Sequence, residues 1–137
     1  MKKLTLFIAI AITCFSVKAQ YSQDVILSSI LKTDTTSIGQ KIIFPQNNNN
    51  EISIIKVTIP PGKSTGWHKH SNPVFAYVIS GTLTVELEGD KKLTFSANTS
   101  FAEVINTYHN GTNLGKEEVV LIAFFMGEKG KLLSEHK

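Results

Sequence analysis

The sequence has 137 residues, of which 42% are hydrophobic and 18% are charged, and its formal net charge is +3. Three of its lysines lie within residues 1–19, so residues 20–137 carry eleven lysines, no arginine and eleven acidic residues. A neutral domain offers no electrostatic surface for nucleic acid or anionic lipid, and the lack of arginine argues against a bidentate clamp for phosphate or a dicarboxylate. Residues 20–137 are long enough for one domain with a single core.

The first residues have the organisation of a secretory signal peptide. Lys2 and Lys3 precede an apolar run over residues 4–17, and Ala19 ends a small-residue cleavage site. The run is shorter than the roughly 20 apolar residues of a membrane-spanning helix. We therefore predict an exported protein, periplasmic or secreted, that is cleaved near Ala19 and has no membrane attachment afterwards. The only cysteine, Cys14, lies in this leader, so the exported chain can have neither a disulfide nor a catalytic thiol.

Residues 20–50 are predicted to form an N-terminal arm and a polar loop. An apolar cluster over residues 25–31 and a strand-like segment over residues 41–44 suggest one or two short strands in the arm. The asparagine run over residues 47–50 is typical of a loop.

Residues 51–59 are mostly β-branched and apolar, and they are predicted to form a strand. Their apolar positions change face between Ile54 and Ile55, which indicates either a bulge or a strand buried on both sides. This strand opens the predicted folded domain, residues 51–127. Residues 128–137 are interpreted as a C-terminal tail.

Beyond residue 62, short apolar segments alternate with turns that contain glycine, proline or asparagine. The segment 82–88 alternates most clearly, because Leu83, Val85 and Leu87 share one face while Thr84 belongs to the polar face. No segment after the leader has a long helical period. The pattern predicts an all-β fold, either an antiparallel sandwich or a barrel.

The histidines carry the main chemical signal. His68 and His70 are spaced i, i+2, so on a strand their side chains point to the same face. His109 lies about forty residues further on, and three converging neutral imidazoles could hold a divalent cation. The alternatives are an exposed polar pair on a strand and, for His109, a loop histidine bonded to the backbone. His136 is next to last in the chain and is expected to be disordered.

The residues around these histidines resemble those of the cupins, which are small jelly-roll β-barrels. The positions that match the two cupin motifs are Gly62, His68, His70 and Gly81 in the first and His109 and Asn113 in the second. The departures are Val74, which replaces a glutamate, and Asn98, Val104 and Asn106, which replace a glycine, a proline and a glycine. The resemblance covers about residues 52–126 and implies a single-domain cupin of the small exported kind.

The resemblance implies a metal centre inside the barrel, held by His68, His70 and His109 without the usual carboxylate. Glu103 is the candidate replacement, because it alternates with apolar residues on a predicted strand and stands six residues before His109. A carboxylate on an apolar face is costly unless it is paired, protonated or bound to a cation. The alternative is an outward-facing glutamate paired with a lysine. Tyr77, on a strand expected to face the histidines, and Glu103 are the candidate catalytic residues.

In its site the chain resembles cupin dioxygenases with three histidines. That resemblance implies a mononuclear metal-dependent enzyme that acts on a small organic molecule through Fe, Mn, Ni or Zn. Two other classes stay open: a non-catalytic cupin that binds a metal or small ligand, and a structural jelly roll with vestigial histidines. The expected partner is a small molecule, not nucleic acid or a membrane, and the arm over residues 20–44 could support a homodimer.

Overall fold

The structure is a computed structural model that describes residues 24–137, so the predicted signal peptide over residues 1–19 lies outside the described residues. Within the described part, the chain forms short strands joined by turns. They are Asn50–Ile59 (β1), His68–Lys69 (β2), Val74–Ser80 (β3), Thr82–Leu87 (β4), Lys92–Ser96 (β5), Ser100–Ala102 (β6), His109–Thr112 (β7), Val119–Glu128 (β8) and Glu135–His136 (β9).

The strands pair into two antiparallel sheets, one in the order β1-β8-β3-β6 and the other in the order β5-β4-β7-β2-β9. Residues 24–137 contain no helix, which confirms the predicted all-β fold, and hence none of them forms an apolar helix long enough to cross a membrane. The core lies between the sheets. Ile59, Val78 and Leu121 contribute to it from the first sheet and Leu83 and Val85 from the second.

Strand β1 is an edge strand, and both predicted explanations for its change of face are wrong. Its ladder to β8 runs without a bulge over all ten residues of the strand. Ile55 shares the inner face with Val57 and Ile59, which line a cavity between the sheets. Ile52 and Ile54 lie on the outer face and are each 63% exposed, so β1 is covered on one side only. The apolar positions of β1 therefore change face because Ile52 and Ile54 are apolar residues on a solvent-exposed surface.

Strand β4 confirms the predicted inward face and corrects the prediction for the other one. Leu83, Val85 and Leu87 are buried, as their alternation predicts. Thr84 was assigned to the solvent face, yet it is buried as well. Because β4 lies between β5 and β7, Thr84 is flanked by its cross-strand partners Thr94 and Thr112. The strands on both sides of a central strand thus shield part of its polar face from solvent.

The N-terminal arm contains no strand over residues 24–49, where the sequence suggests one or two. Its only regular pairing there is an isolated bridge between Thr35 and Lys41. The side chain of Gln40 fixes this bridge to the segment between β6 and β7. Its Nε2 donates to the carbonyl of Ile105 at 2.8 Å, and its Oε1 accepts from the Ile105 amide at 2.9 Å. One amide side chain thus pairs with both backbone groups of a residue far away in sequence.

The end of the chain belongs to the fold, so the prediction that His136 is disordered is wrong. Strand β9 pairs with β2, placing His136 opposite His68 and Glu135 opposite Lys69. The pairing extends the second sheet by one strand at the edge that carries the predicted site. Such long-range pairing leaves no periodic pattern in a two-residue segment.

Candidate metal centre

The three histidines predicted to converge do so, and this part of the prediction is confirmed. His68 and His109 are cross-strand partners on β2 and β7, and their ring centroids are 4.4 Å apart. His70 follows β2 directly, and its ring lies 4.9 Å from that of His68 and 5.1 Å from that of His109. His70 and His109 are buried. The i, i+2 spacing and one cross-strand pair are enough to bring the imidazoles together.

Each of the three imidazoles bonds a backbone carbonyl through its Nδ1 atom. The Nδ1 of His68 lies 2.7 Å from the Gly66 oxygen, that of His70 lies 2.7 Å from the Leu133 oxygen, and that of His109 lies 2.9 Å from the Thr107 oxygen. A carbonyl can only accept, so each Nδ1 carries the proton and donates it. In the neutral ring the Nε2 atom then has a free lone pair, which is the arrangement of a metal-ligating histidine.

The carboxylate of Glu103 meets two of these Nε2 atoms. Its Oε2 lies 3.1 Å from the Nε2 of His70 and 3.3 Å from the Nε2 of His109, and its side chain is 14% exposed. The alternative of an outward glutamate paired with a lysine is therefore wrong. The four side chains each offer one ligand atom, and these atoms all lie within 4.8 Å of one another.

Glu103 stands beside Val74, the residue found where the cupin motif has its glutamate. The Glu103 amide donates to the Val74 carbonyl at 2.8 Å, which continues the register in which Phe75 pairs with Ala102. Cross-strand partners in an antiparallel pair point to the same face. The carboxylate missing from β3 is thus supplied by the neighbouring chain segment, just after β6, on the same face.

The electrostatics of the cluster favour an ionised carboxylate. Burial alone would raise the pKa of Glu103, but its interactions with the imidazoles of His109 and His70 outweigh burial and lower the pKa to about 2. Burial opposes a charge on His70 as well, and the bond to Glu103 overcomes it and raises the pKa of His70. Burial lowers the pKa of His68, which lies further from the carboxylate. A negative carboxylate thus faces converging imidazoles.

This donor set fits a divalent cation. With Nδ1 committed to a carbonyl, a neutral imidazole directs a lone pair at the Glu103 oxygens, and two acceptors face each other unless a proton or a cation lies between them. The Nε2 of His109 has no hydrogen-bond partner of good geometry despite its burial. Unsatisfied buried nitrogen is rare in folded proteins and is expected where a ligand or ion binds. Three imidazoles and one carboxylate suit Fe, Mn, Ni or Zn.

A cavity of about 190 Å³ opens beside the cluster. It is smaller than the roughly 300–1,000 Å³ typical of drug-sized ligand pockets, so it suits a small molecule. Aliphatic side chains from both sheets and the ring of Phe125 form the apolar part of its wall. Sequence reasoning missed four polar residues of the wall, Ser37, Thr65, Ser134 and His136, because the arm, the segment before β2 and the segment that ends in β9 are positioned by long-range pairing.

Tyr77 does not line this cavity, so its predicted place in the pocket is wrong. On β3 the inward residues are Val74, Ala76 and Val78, which are buried. Tyr77 is an odd number of residues from Val74 and points to the other face of the sheet. Its hydroxyl donates to Asn98 Oδ1 at 3.1 Å in an exposed position.

Two antiparallel sheets around a cavity with a histidine and carboxylate cluster define a small all-β protein whose side chains have the donor set of a metal site. The chain matches the family described as cupin domain over residues 55–125, just over half of its length. It therefore belongs to the cupin family, which confirms the resemblance of its motifs. A search of curated proteins found no match.

Solved structures share the fold at low sequence identity. An oxalate decarboxylase from Bacillus subtilis is 21% identical over 62% of this chain and 23% of its own, with a TM-score of 0.54. A DMSP lyase from Ruegeria pomeroyi is 12% identical over 63% and 43%, with a TM-score of 0.54. A Klebsiella pneumoniae protein with a double-stranded β-helix domain is 16% identical over 68% and 90%, with the same TM-score. The chain spans less than half the length of the lyases and decarboxylases.

Two of the departures from the cupin motifs have a backbone conformation that favours glycine. Asn98 and Asn106, which replace glycines, have φ values of 64° and 51°. Asparagine enters this left-handed region more readily than other residues with a side chain. Gly81 is retained where a Cβ atom would lie 2.7 Å from the carbonyl oxygen of Glu118. The second motif thus has asparagine at two positions where the backbone is left-handed.

Proposed function

We propose that this cupin is a mononuclear metal-dependent enzyme that acts on a small organic molecule, with His68, His70, Glu103 and His109 as its metal ligands. The observation that carries the proposal is the convergence of their free ligand atoms at the wall of a cavity, with each histidine Nδ1 bonded to a carbonyl. A donor set that ends at an open cavity leaves coordination positions for a substrate. Structural neighbours named as a lyase and a decarboxylase support an enzyme.

The rest of the predicted organisation is part of the same proposal. We interpret the two sheets as a jelly-roll barrel over residues 51–127, exported after removal of residues 1–19. The homodimer predicted through the arm over residues 20–44 is part of the same proposal, and edge strand β1 adds the exposed side chains of Ile52 and Ile54 as a second apolar surface for it. Uncovered apolar residues side by side are typical of an interface.

The residues around such a site have separate roles. A bound divalent ion would act as a Lewis acid on a substrate oxygen or activate dioxygen. The carbonyls of Gly66, Leu133 and Thr107 hold the imidazoles in one tautomer and one orientation. The single Glu103 charge leaves a divalent ion with a net positive charge, which favours an anionic substrate oxygen. The aliphatic wall keeps water away from the substrate and strengthens these interactions.

The experiment starts from untagged protein exported by its own leader, whose metal content is measured by elemental analysis. We expect about one transition-metal ion per chain. The metal-loaded protein is then incubated with a panel of small carboxylic, hydroxy and keto acids with and without dioxygen, and products are followed by NMR. Conversion that stops in the chelator-treated protein would support an enzyme. A fully loaded protein that converts no member of the panel would favour the non-catalytic binding module, and one without metal would contradict both.

Metal affinity should fall as the pH falls from 7.5 to 5.5. A metal and a proton compete for Nε2 of His70, whose pKa is raised because the Glu103 contact outweighs burial. The metal-free site therefore binds protons that the loaded site cannot, and acid favours the metal-free state. Each displaced proton lowers the affinity by about tenfold per pH unit below the pKa of the group. Zinc competition titrations at three pH values measure this, and an affinity independent of pH would contradict histidine ligation.

A further inference from the structure

Strand β9 contributes to the cavity as well as to the sheet. Its neighbour Leu133 accepts the Nδ1 proton of His70 at 2.7 Å, and Ser134 and His136 line the cavity. A further backbone bond continues the pairing of β9 with β2 to the last residue. The amide of Lys137 donates to the Trp67 carbonyl at 3.0 Å. The last residues of the chain thus have a fixed position beside the metal centre.

His136 extends a row of imidazoles that crosses three neighbouring strands. His109 on β7 and His136 on β9 are both direct cross-strand partners of His68 on β2. Residues paired in this way share one face of the sheet, and here that face is the cavity wall. The rings of His68 and His136 are 5.8 Å apart, and His136 is not among the side chains whose ligand atoms cluster. His136 therefore adds an exposed imidazole at the cavity mouth, next to the metal centre.

The rest of the wall shows what His136 can recognise. None of the lysines among residues 24–137 lines the cavity, so no fixed cation there could pair with a second carboxylate. The hydroxyl of Thr65 already accepts from the Gly111 amide at 2.9 Å and donates to the Gly66 carbonyl at 3.2 Å. Apart from the proposed ligands, the remaining polar side chains are those of Ser37, Ser134 and His136, which offer hydrogen bonds to an oxygen atom but no permanent positive charge to balance a second carboxylate.

We propose that His136 is a specificity-determining residue that binds, together with Ser134, an uncharged hydroxyl or carbonyl oxygen of the substrate. The substrate class is then a small hydroxy or keto acid, with its carboxylate at the metal and its second oxygen at β9. This inference rests on the proposed function, since it requires a metal at the neighbouring cluster. It is also consistent with a small cavity, which accommodates only a short carbon chain.

The test uses the zinc-loaded full chain and measures binding of 3-hydroxybutanoate, butanoate and succinate by calorimetry. A neutral hydrogen bond contributes about 0.5–1.5 kcal/mol, so we expect the hydroxy acid to bind roughly 2- to 12-fold more tightly than butanoate. Succinate should bind no more tightly than butanoate, because the wall offers no cation for its second carboxylate. Equal affinities for the hydroxy acid and butanoate, or a preference for succinate, would overturn the proposal.

Variants of β9 assign the effect to His136. His136→Phe keeps an aromatic ring without hydrogen-bonding groups, so it should bind the hydroxy acid and butanoate equally. His136→Gln restores a donor and should regain part of the preference. Glu135→Gln changes the preceding residue, whose carboxylate pairs with Lys69 at 3.1 Å on the other face, and should behave as the wild type. An unchanged preference in His136→Phe would contradict the assignment.

Zinc affinities distinguish a failure of the proposed metal site from a failure of the substrate role of His136. His136→Phe should leave the zinc affinity within about threefold of wild type, because His136 is neither a proposed ligand nor a hydrogen-bond partner of a ligand's imidazole. A much larger loss would make His136 a metal ligand and overturn the substrate role. If the wild type itself binds no zinc or other divalent ion, the proposed function fails first. If it binds zinc but ignores the hydroxyl group, only this inference fails.

Discussion

Removal of the metal with EDTA should lower the melting temperature of the loaded protein by roughly 10 °C. An ion that binds only the folded state adds RT ln(1 + [L]/Kd) to the free energy of unfolding, which is about 2.7 kcal/mol at a hundredfold excess over Kd. The ligands come from β2, β7 and the segment after β6, so the ion links segments that are distant in sequence. Calorimetry of loaded and chelated protein measures the shift, and re-addition of metal should reverse it.

His109→Ala should abolish this chelator effect as fully as His68→Ala. Either change leaves two imidazoles and one carboxylate, and the affinity for a divalent ion falls steeply when a ligand is lost. The comparison is made within each variant, with and without EDTA. Any loss of stability from the substitution itself then cancels. A His109→Ala protein that keeps the wild-type shift would mean that the converging histidines do not form the binding site.

Glu103→Gln tests whether Glu103 is the fourth metal ligand. The amide keeps the size of the side chain but removes the charge, so a ligating Glu103 predicts a clear loss of metal affinity and a smaller chelator effect. Glu86→Gln is the matched control, because Glu86 lies on β4 and pairs with Lys92 at 2.8 Å away from the cluster. Wild-type affinity in Glu103→Gln would leave a site of three histidines.

The sequence allowed the histidine cluster to be predicted because it combines a local spacing with the spacing of a family motif. Two histidines spaced i, i+2 must share a face of a strand, and a third histidine at the family's spacing supplies the partner. Glu103 could only be weighed as a candidate, because its place depends on the register between β3 and β6. That register puts it beside Val74. No pattern within residues 100–105 specifies this neighbour.

The incorrect predictions have two kinds of cause. Strand parity alone places the side chain of Tyr77 on the face of β3 away from Val74 and the pocket, so its orientation follows from the sequence. His136 could not be placed, because a two-residue strand has no period and is stabilised by its partners on β2. The burial of Thr84 follows from the central position of β4, which is a property of sheet order. The face and spacing of residues within one strand were predictable, whereas the cross-strand neighbours of Glu103, His136 and Thr84 were not.

Leu83→Asp should unfold the domain. Leu83 is 3% exposed, belongs to the core between the sheets and, unlike Val85, does not line the cavity where a carboxylate could reach water or a metal. The substitution removes buried apolar surface and leaves an unpaired charge, which together cost several kcal/mol. That loss is comparable with the whole stability of a small domain, about 5–15 kcal/mol. Urea denaturation followed by circular dichroism measures it.

Thr82→Asp is the matched control for Leu83→Asp, because it introduces the same carboxylate one residue earlier on the same strand. Thr82 is exposed and points to the opposite face of the sheet, so its change in unfolding free energy should stay within about 0.5 kcal/mol. Thr84 would not serve, because it is 8% exposed despite lying on the same face as Thr82. A shift of one residue in the register of β4 would exchange the two faces. Equal tolerance of both substitutions would therefore contradict the register on which the core and the site depend.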